Sequence, residues 1–201
     1  MTAQLNSSTF ATRFGCCIAV ALVVATNARA ETQFATDRET GLATWVTENA
    51  GFAVRLTQLG PDQTYSFFEA RGFSSDDARR YADTCVFMSV VRNVGAQPLD
   101  FDLRQWRYQP RGAAIRPMKV KEHWLEEWQA RGLPEAAIIA FAWSQLPTEQ
   151  TFAPGDWNQG MTTFSLPRGE SFDLHYQWQS GDNTHAGKLE GASCAPASDS
   201  P

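Results

Sequence analysis

The chain has 201 residues, of which 17 are basic and 22 acidic, so its formal net charge at pH 7 is −5. Nucleic acids and anionic membrane surfaces are bound by basic patches, and this charge balance argues against both as partners. The length suits one domain with a hydrophobic core of its own.

The first thirty residues predict an export signal. Residues 1–13 are polar and contain no acid, residues 16–25 form a short apolar run, and residues 28–30 read Ala-Arg-Ala, a small-x-small cleavage site before Glu31. The apolar run is about half of the ~20 residues that a membrane-spanning helix needs. We therefore expect a periplasmic or secreted protein with no stable membrane insertion after cleavage.

The chain is expected to have three parts, and cleavage at this site would leave two of them in the mature protein. Residues 1–30 are the signal, residues 31–194 a single domain, and residues 195–201, which are small and polar, a disordered tail. The signal contains two basic residues and no acidic one, so the mature chain keeps 15 basic and 22 acidic residues and a net charge of −7.

The first half of the mature chain predicts strands around a helical insertion. Residues 43–59 alternate loosely between apolar and polar, which favours one or two strands. Pro61 and Gly72 bound a short helix, and Ser74 or Ser75 can cap a second helix that runs to Asp83. Two strands are expected to follow, at residues 85–91 and 101–108.

The second half predicts another helix and then mostly strands. Apolar residues recur at helical spacing over residues 119–130, and Gly132 ends that helix. Residues 139–143 alternate in size and favour a strand, although a helix opened by Pro134 is the alternative. Turn signals about ten residues apart separate the remaining expected strands, at residues 150–152, 161–166, 171–178 and 186–194.

These patterns predict a mainly β protein of the β-rich α+β class. The expected architecture is an antiparallel immunoglobulin-like β-sandwich with two short helical insertions, one near residues 61–83 and one near residues 119–131. We detect no internal repeat.

The mature chain keeps two cysteines, Cys85 and Cys194. In an oxidising compartment such a pair predicts one disulfide. Closing a loop of about 110 residues would contribute on the order of 4.7 kcal/mol in the chain-entropy treatment. A catalytic redox pair is not expected, because the C-x-x-C spacing that tunes thiol acidity is absent.

Aromatic recognition is the functional role that the sequence favours. Trp157 lies between Asp156 and Asn158 in a turn-rich stretch where a large apolar residue has no periodic role. A partly exposed ring beside acids and amides is typical of sites for sugars, peptides or cations. We expect this stretch, with Trp124 and Trp128 of the helix near residues 119–130, to form the binding surface. Two interpretations compete with this one: Trp157 folds back as a plug over the sandwich, and Trp124 and Trp128 pack their helix onto a sheet.

Metal binding is the alternative. Imidazole and thioether ligands suit copper, and His123, His175, His185 and Met118 are the candidate ligands. His175 and His185 flank a predicted hairpin turn. No H-x-H, H-x-x-M or M-x-x-M spacing supports the site. We therefore expect no cofactor, with copper as the alternative.

No catalytic motif is present, and we expect the protein not to be an enzyme. The sequence contains neither G-x-S-x-G nor H-E-x-x-H. The expected function is therefore an exported periplasmic binding or assembly module with an aromatic-rich surface for a protein, small-molecule or glycan partner. A copper-binding or copper-delivery protein and a carbohydrate-binding module are the two alternatives.

Overall fold

A computed structural model describes Met1 and residues 31–196. The expected signal, apart from its first residue, and the last five residues of the expected tail lie outside the described residues. Ala195, at the start of that tail, is packed with only 8% of its surface exposed.

The described residues form eleven strands and four α-helices. The strands are β1 Gln33–Thr36, β2 Ala43–Asn49, β3 Phe52–Gln58, β4 Cys85–Asn93, β5 Leu99–Asp102, β6 Arg107–Pro110, β7 Arg116–Pro117, β8 Glu149–Phe152, β9 Trp157–Phe164, β10 Ser171–Ser180 and β11 Asn183–Ser193. The helices are α1 Pro61–Glu69, α2 Ser75–Ala82, α3 Lys121–Ala130 and α4 Glu135–Ser144, and a short 3₁₀ helix spans Leu103–Gln105.

The strands form two antiparallel sheets, which confirms the mainly β class. Sheet A has the order β1-β2-β3-β4-β9. Sheet B is built around β10, which pairs with β11 along one edge and with β5 and β6 along the other, while β8 and β7 lie beyond these two strands.

The inner faces of the two sheets pack on each other and form the main core. In β10 the alternating residues Phe172, Leu174, Tyr176 and Trp178 are buried, as the sequence predicts. Phe52 of β3 meets the sheet B rings across the interface, with its centroid 5.3 Å from that of Trp178.

The predicted disulfide is confirmed. Cys85 at the start of β4 is bonded to Cys194 just after β11, with the Cα atoms 5.1 Å apart. It joins the two sheets, and such bonds are typical of an oxidising compartment.

The four helices form a second core against one half of the outer face of sheet A, the face that points away from sheet B. Val86 of β4 and Met161 of β9 lie on this face and are buried by the helices. The indole N–H of Trp124 donates to Thr163 Oγ1 of β9 at 2.9 Å, which fixes α3 on the sheet.

The two helical insertions are helical hairpins of the same design. Each has the sequence Ala-Arg-Gly where its first helix ends, and Gly72 and Gly132 adopt positive φ values of 87° and 73°. The next residue of each hairpin donates its N–H to an aromatic residue of the first helix, Phe73 to Phe68 O at 3.2 Å and Leu133 to Trp128 O at 3.1 Å. The hairpins are thus a structural repeat that the sequence analysis did not detect.

Three expectations about secondary structure are wrong in detail. Residues 139–143 lie in α4 and not in a strand, so the alternative helix after Pro134 is the correct one. The expected strand at residues 101–108 is interrupted by the 3₁₀ helix, where the Asp102 side chain accepts the Arg104 N–H at 2.8 Å. Trp157 does not lie in a loop but begins β9.

None of the helices in residues 31–196 is both long and apolar enough to cross a lipid bilayer.

Candidate functional site

The helices leave one half of the outer face of sheet A uncovered. A concave surface of about 390 Å³ lies there, and we refer to it as the Trp157 groove. Its lining side chains belong to β2, β3, β4, the residue following β4 and β9: Val46, Glu48, Ala53, Arg55, Val90, Arg92, Val94 and Trp157.

Trp157 reaches this face because a tight turn places it at the first position of β9. The Asp156 carboxylate accepts the Ala153 N–H at 2.8 Å, and the Asp156 carbonyl accepts the Asn93 N–H at 2.9 Å. Trp157 is then paired with Arg92, and both side chains point away from sheet B. The Trp157 side chain is 57% exposed, so it does not plug the sandwich.

The second concave surface lies along the free edge of β9. This Trp143 groove, of about 360 Å³, is lined by Lys121, Ala142, Trp143, Gln145, Pro147, Asn158 and Gln159. Trp143, at the end of α4, is 86% exposed. Gln159, which lines this groove, is two residues from Trp157 and lies on the same face of β9.

Trp143 is the residue that the sequence analysis missed as a surface candidate. Interpreting residues 139–143 as a strand put Trp143 on the same face as Phe141. In the helix the two side chains diverge, and Phe141 is completely buried while Trp143 is in solvent. Pro134 followed by Glu135, a typical helix start, was the signal for the correct interpretation.

The other two expected binding residues of the helix are in the core. Trp124 and Trp128 are 3% and 0% exposed, and their rings stack with centroids 5.1 Å apart. The structure therefore does not place them on a recognition surface. Their expected role fails because the apolar stripe of α3 packs against the sheet and α4.

Asp156 and Asn158 hold the strand that carries Trp157, and Asn158 also lines the Trp143 groove. Asn158 donates from Nδ2 to Gln150 Oε1 at 2.8 Å, and its Oδ1 accepts the Gln159 N–H at 2.7 Å. Asp156 closes the turn before β9. Both polar side chains thus fix the strand that carries Trp157.

The structure does not bring the three candidate histidines together. His123 lies exposed on α3, above sheet A, whereas His175 and His185 lie in sheet B. His185 stacks on the inward-facing Trp178 with centroids 5.3 Å apart, and His175, an odd number of residues from Trp178, points to the opposite face. His175 is paired with Arg107 and Lys188, whose positive charges oppose a metal cation.

Met118, the fourth candidate ligand, is 6% exposed and belongs to the core between the sheets. Within residues 31–196, no group of three or more His, Cys, Asp or Glu side chains is arranged to hold a metal ion. The described geometry therefore gives no support to the copper alternative.

A further concave surface, of about 400 Å³, lies on sheet B and is polar. It includes Asp100, Asp102, Gln105 and Glu149. Burial raises the pKa of Asp102, but hydrogen bonds and charge from Arg104 outweigh it and hold this pKa below its usual value. The aromatic residues at this surface, Phe101 and Trp178, are 3% and 2% exposed, so they offer no ring to a ligand.

Comparison of the chain with protein-family models, curated proteins and solved structures found no match.

Proposed function

We propose that this protein is an exported, non-enzymatic binding or assembly module that recognises its partner through the uncovered outer face of sheet A. The observation that carries the proposal is the 57% exposure of Trp157 beside the apolar residues Val46, Val90 and Val94. Exposed aromatic rings with apolar neighbours and flanking charges are typical of interface centres.

The proposal includes export to the periplasm or beyond and a sandwich of the immunoglobulin-like kind. The signal pattern in residues 1–30 and the Cys85–Cys194 disulfide support the compartment. Two face-to-face antiparallel sheets joined by a disulfide support the architecture.

A photocrosslinker tests this function without removing Trp157. We would replace Trp143, whose groove is also lined by Asn158 and Gln159 just after Trp157, by p-benzoylphenylalanine in the organism that encodes the chain, and irradiate living cells. The control carries the crosslinker at Ile115, which is 53% exposed on the loop before β7 of sheet B.

The proposal predicts a discrete crosslinked product from position 143 that disappears when Trp157→Ala is added. Position 115 should not give this product. No product from position 143, or a product that is unchanged by Trp157→Ala, would contradict recognition at this surface.

A further inference from the structure

We propose that the partner is an extended, acidic protein segment that adds as a strand to the free edge of β9. This inference rests on the proposed function and specifies the partner of the same surface. It depends on which backbone groups of β9 point outwards, on how the chain covers the rest of that edge, and on the charges around it.

The hydrogen-bonding pattern of sheet A shows which residues of β9 direct their backbone N–H and C=O groups to the free edge. Leu59 donates its N–H to Val86 O at 3.1 Å, so Val86 and alternate residues of β4 bond to the β3 side. Asn93 donates to Asp156 O at 2.9 Å, so the other residues of β4 bond to β9. It follows that Trp157 and Gln159 direct their backbone groups away from β4.

The chain itself already adds backbone to the next part of this edge. Leu146 donates its N–H to Met161 O at 3.1 Å, and Lys119 forms a bridge with Thr163. Within the described residues, Trp157 and Gln159 have no such neighbour strand. The edge of β9 is thus covered at one end and open at the other.

Three backbone groups are available on the open part. They are the N–H and C=O of Trp157 and the C=O of Gln159, since the Gln159 N–H is already bonded to Asn158 Oδ1. A strand that pairs with Trp157 would satisfy both of its backbone groups, which is the way in which extended peptides extend sheets in other proteins.

The charges next to this edge favour an acidic segment. The side chains that line the two flanking grooves are the cations Lys121, Arg55 and Arg92 and one acid, Glu48. Two further acids lie close by: Glu122, whose Oε1 is 4.0 Å from Lys121 Nζ, and Asp156, which precedes Trp157. The groove linings themselves carry more positive than negative charge, in a chain whose net charge is −5. The exposed rings of Trp143 and Trp157 can contact apolar side chains that alternate with the acidic ones.

The test uses linear twelve-residue peptides displayed on phage and selected on the mature, disulfide-bonded protein. The best peptide is synthesised with a fluorophore, and its Kd is measured by fluorescence anisotropy. We expect an acidic consensus with apolar residues at alternate positions and no proline in its centre. Two further versions carry backbone N-methyl groups on alternate residues, one version in each frame.

Strand addition predicts that N-methylation in one frame weakens binding at least tenfold while the other frame binds like the parent peptide, because only alternate N–H groups face β9. Lys121→Glu should weaken binding about tenfold. The matched charge reversal Arg116→Glu on β7 should leave the Kd unchanged.

The outcomes separate this inference from the proposed function. If Trp157→Ala abolishes binding but both methylated frames bind equally, the recognition surface stands and strand addition is wrong. A selection that yields no peptide dependent on Trp157 contradicts the peptide partner, and the cellular crosslinking result then decides whether the surface itself is functional. A concentration-dependent dimer of the protein, lost with Trp157→Ala in sedimentation, would show that a second copy takes this edge.

Discussion

Gly160 shows how a single residue shapes the edge of β9. A Cβ atom at this position would lie 2.1 Å from Leu146 N and 2.3 Å from Gln145 C. Only glycine therefore lets the segment after α4 lie directly against the strand. Two residues before Gly160, the Asn158 side chain donates to Gln150 of β8. The covered part of the β9 edge begins just after Gly160, at Met161, whose carbonyl accepts the Leu146 N–H.

Because of this close approach, we predict that position 160 does not tolerate a side chain larger than glycine. Gly160→Ala should lower the free energy of unfolding by about 2 kcal/mol or more, because the new methyl group meets backbone that must move. Gly60→Ala is the matched control, since nothing lies within 4 Å of its Cβ position. Urea unfolding of both variants measures the difference, and equal midpoints would show that residues 145–146 do not lie against β9 in solution.

The seven tryptophans show what a sequence can tell about single residues and what it cannot. The turn-rich sequence before Trp157 correctly singled this residue out as unusual, although it begins a strand. Trp124 packs its helix onto the sheet, as the competing interpretation of the sequence had it, and Trp143 was missed because residues 139–143 were interpreted as a strand. Local spacing alone does not decide which side of a helix meets the sheet. That side is set by contacts such as Trp124 to Thr163, which are 39 residues apart.

At the scale of elements, most strands and three of the helices could be predicted from the sequence. β10 alternates cleanly because one of its faces is buried and the other is wet. The sequence of α4 has no such clarity, because Ala and Ile occur all round the helix. The pairing of β9 with β4 could not be predicted either, since it depends on long-range register.

Two ion pairs join the two helical hairpins: Asp77 pairs with Arg131, and Glu127 pairs with Arg80. Because both depend on an ionised carboxylate, we expect the helical hairpins to be sensitive to acid. Burial raises the pKa of Asp77, but the Ser74 hydroxyl and the Arg131 guanidinium outweigh it and hold this pKa below its usual value. Burial likewise raises the pKa of Glu127, and the nearby Lys119 and Arg80 outweigh it and lower this pKa.

These pKa shifts predict a loss of stability in acid. A carboxylate with a lower pKa in the folded chain than in the unfolded chain stabilises the fold fully above its unfolded pKa, and this contribution is lost as the pH falls through the folded value. The free energy of unfolding should therefore fall between about pH 5 and pH 2, and Asp77→Asn should reduce that fall.

The measurement for this prediction is urea unfolding at several pH values in that window. Asp76→Asn is the control, because Asp76 is the exposed neighbour of Asp77 on the same helix. A variant at position 77 that keeps the full pH dependence of the parent protein would show that Asp77 does not stabilise the hairpins through its charge.

At the scale of the whole molecule, the two cores divide sheet A into a covered and an open half. The disulfide lies at Cys85, at the covered end of β4, and Arg92 beside Trp157 lies near the other end. The helices thus cover one half of the outer face of sheet A, where the disulfide also ties the sheet to sheet B, and the opposite half is exposed to solvent. This arrangement suits a recognition surface, because the exposed ring of Trp157 is held by paired strands and not by a loop.

The stability of Trp157→Ala, compared with that of Trp178→Ala, tests whether Trp157 belongs to a recognition surface or to the core. Trp157 is 57% exposed and Trp178 is 2% exposed. Urea unfolding should show a loss of about 1 kcal/mol or less for Trp157→Ala and of about 3 to 5 kcal/mol for Trp178→Ala, with similar slopes. A loss at position 157 as large as that at position 178 would show that Trp157 belongs to the core, and would contradict its role in recognition.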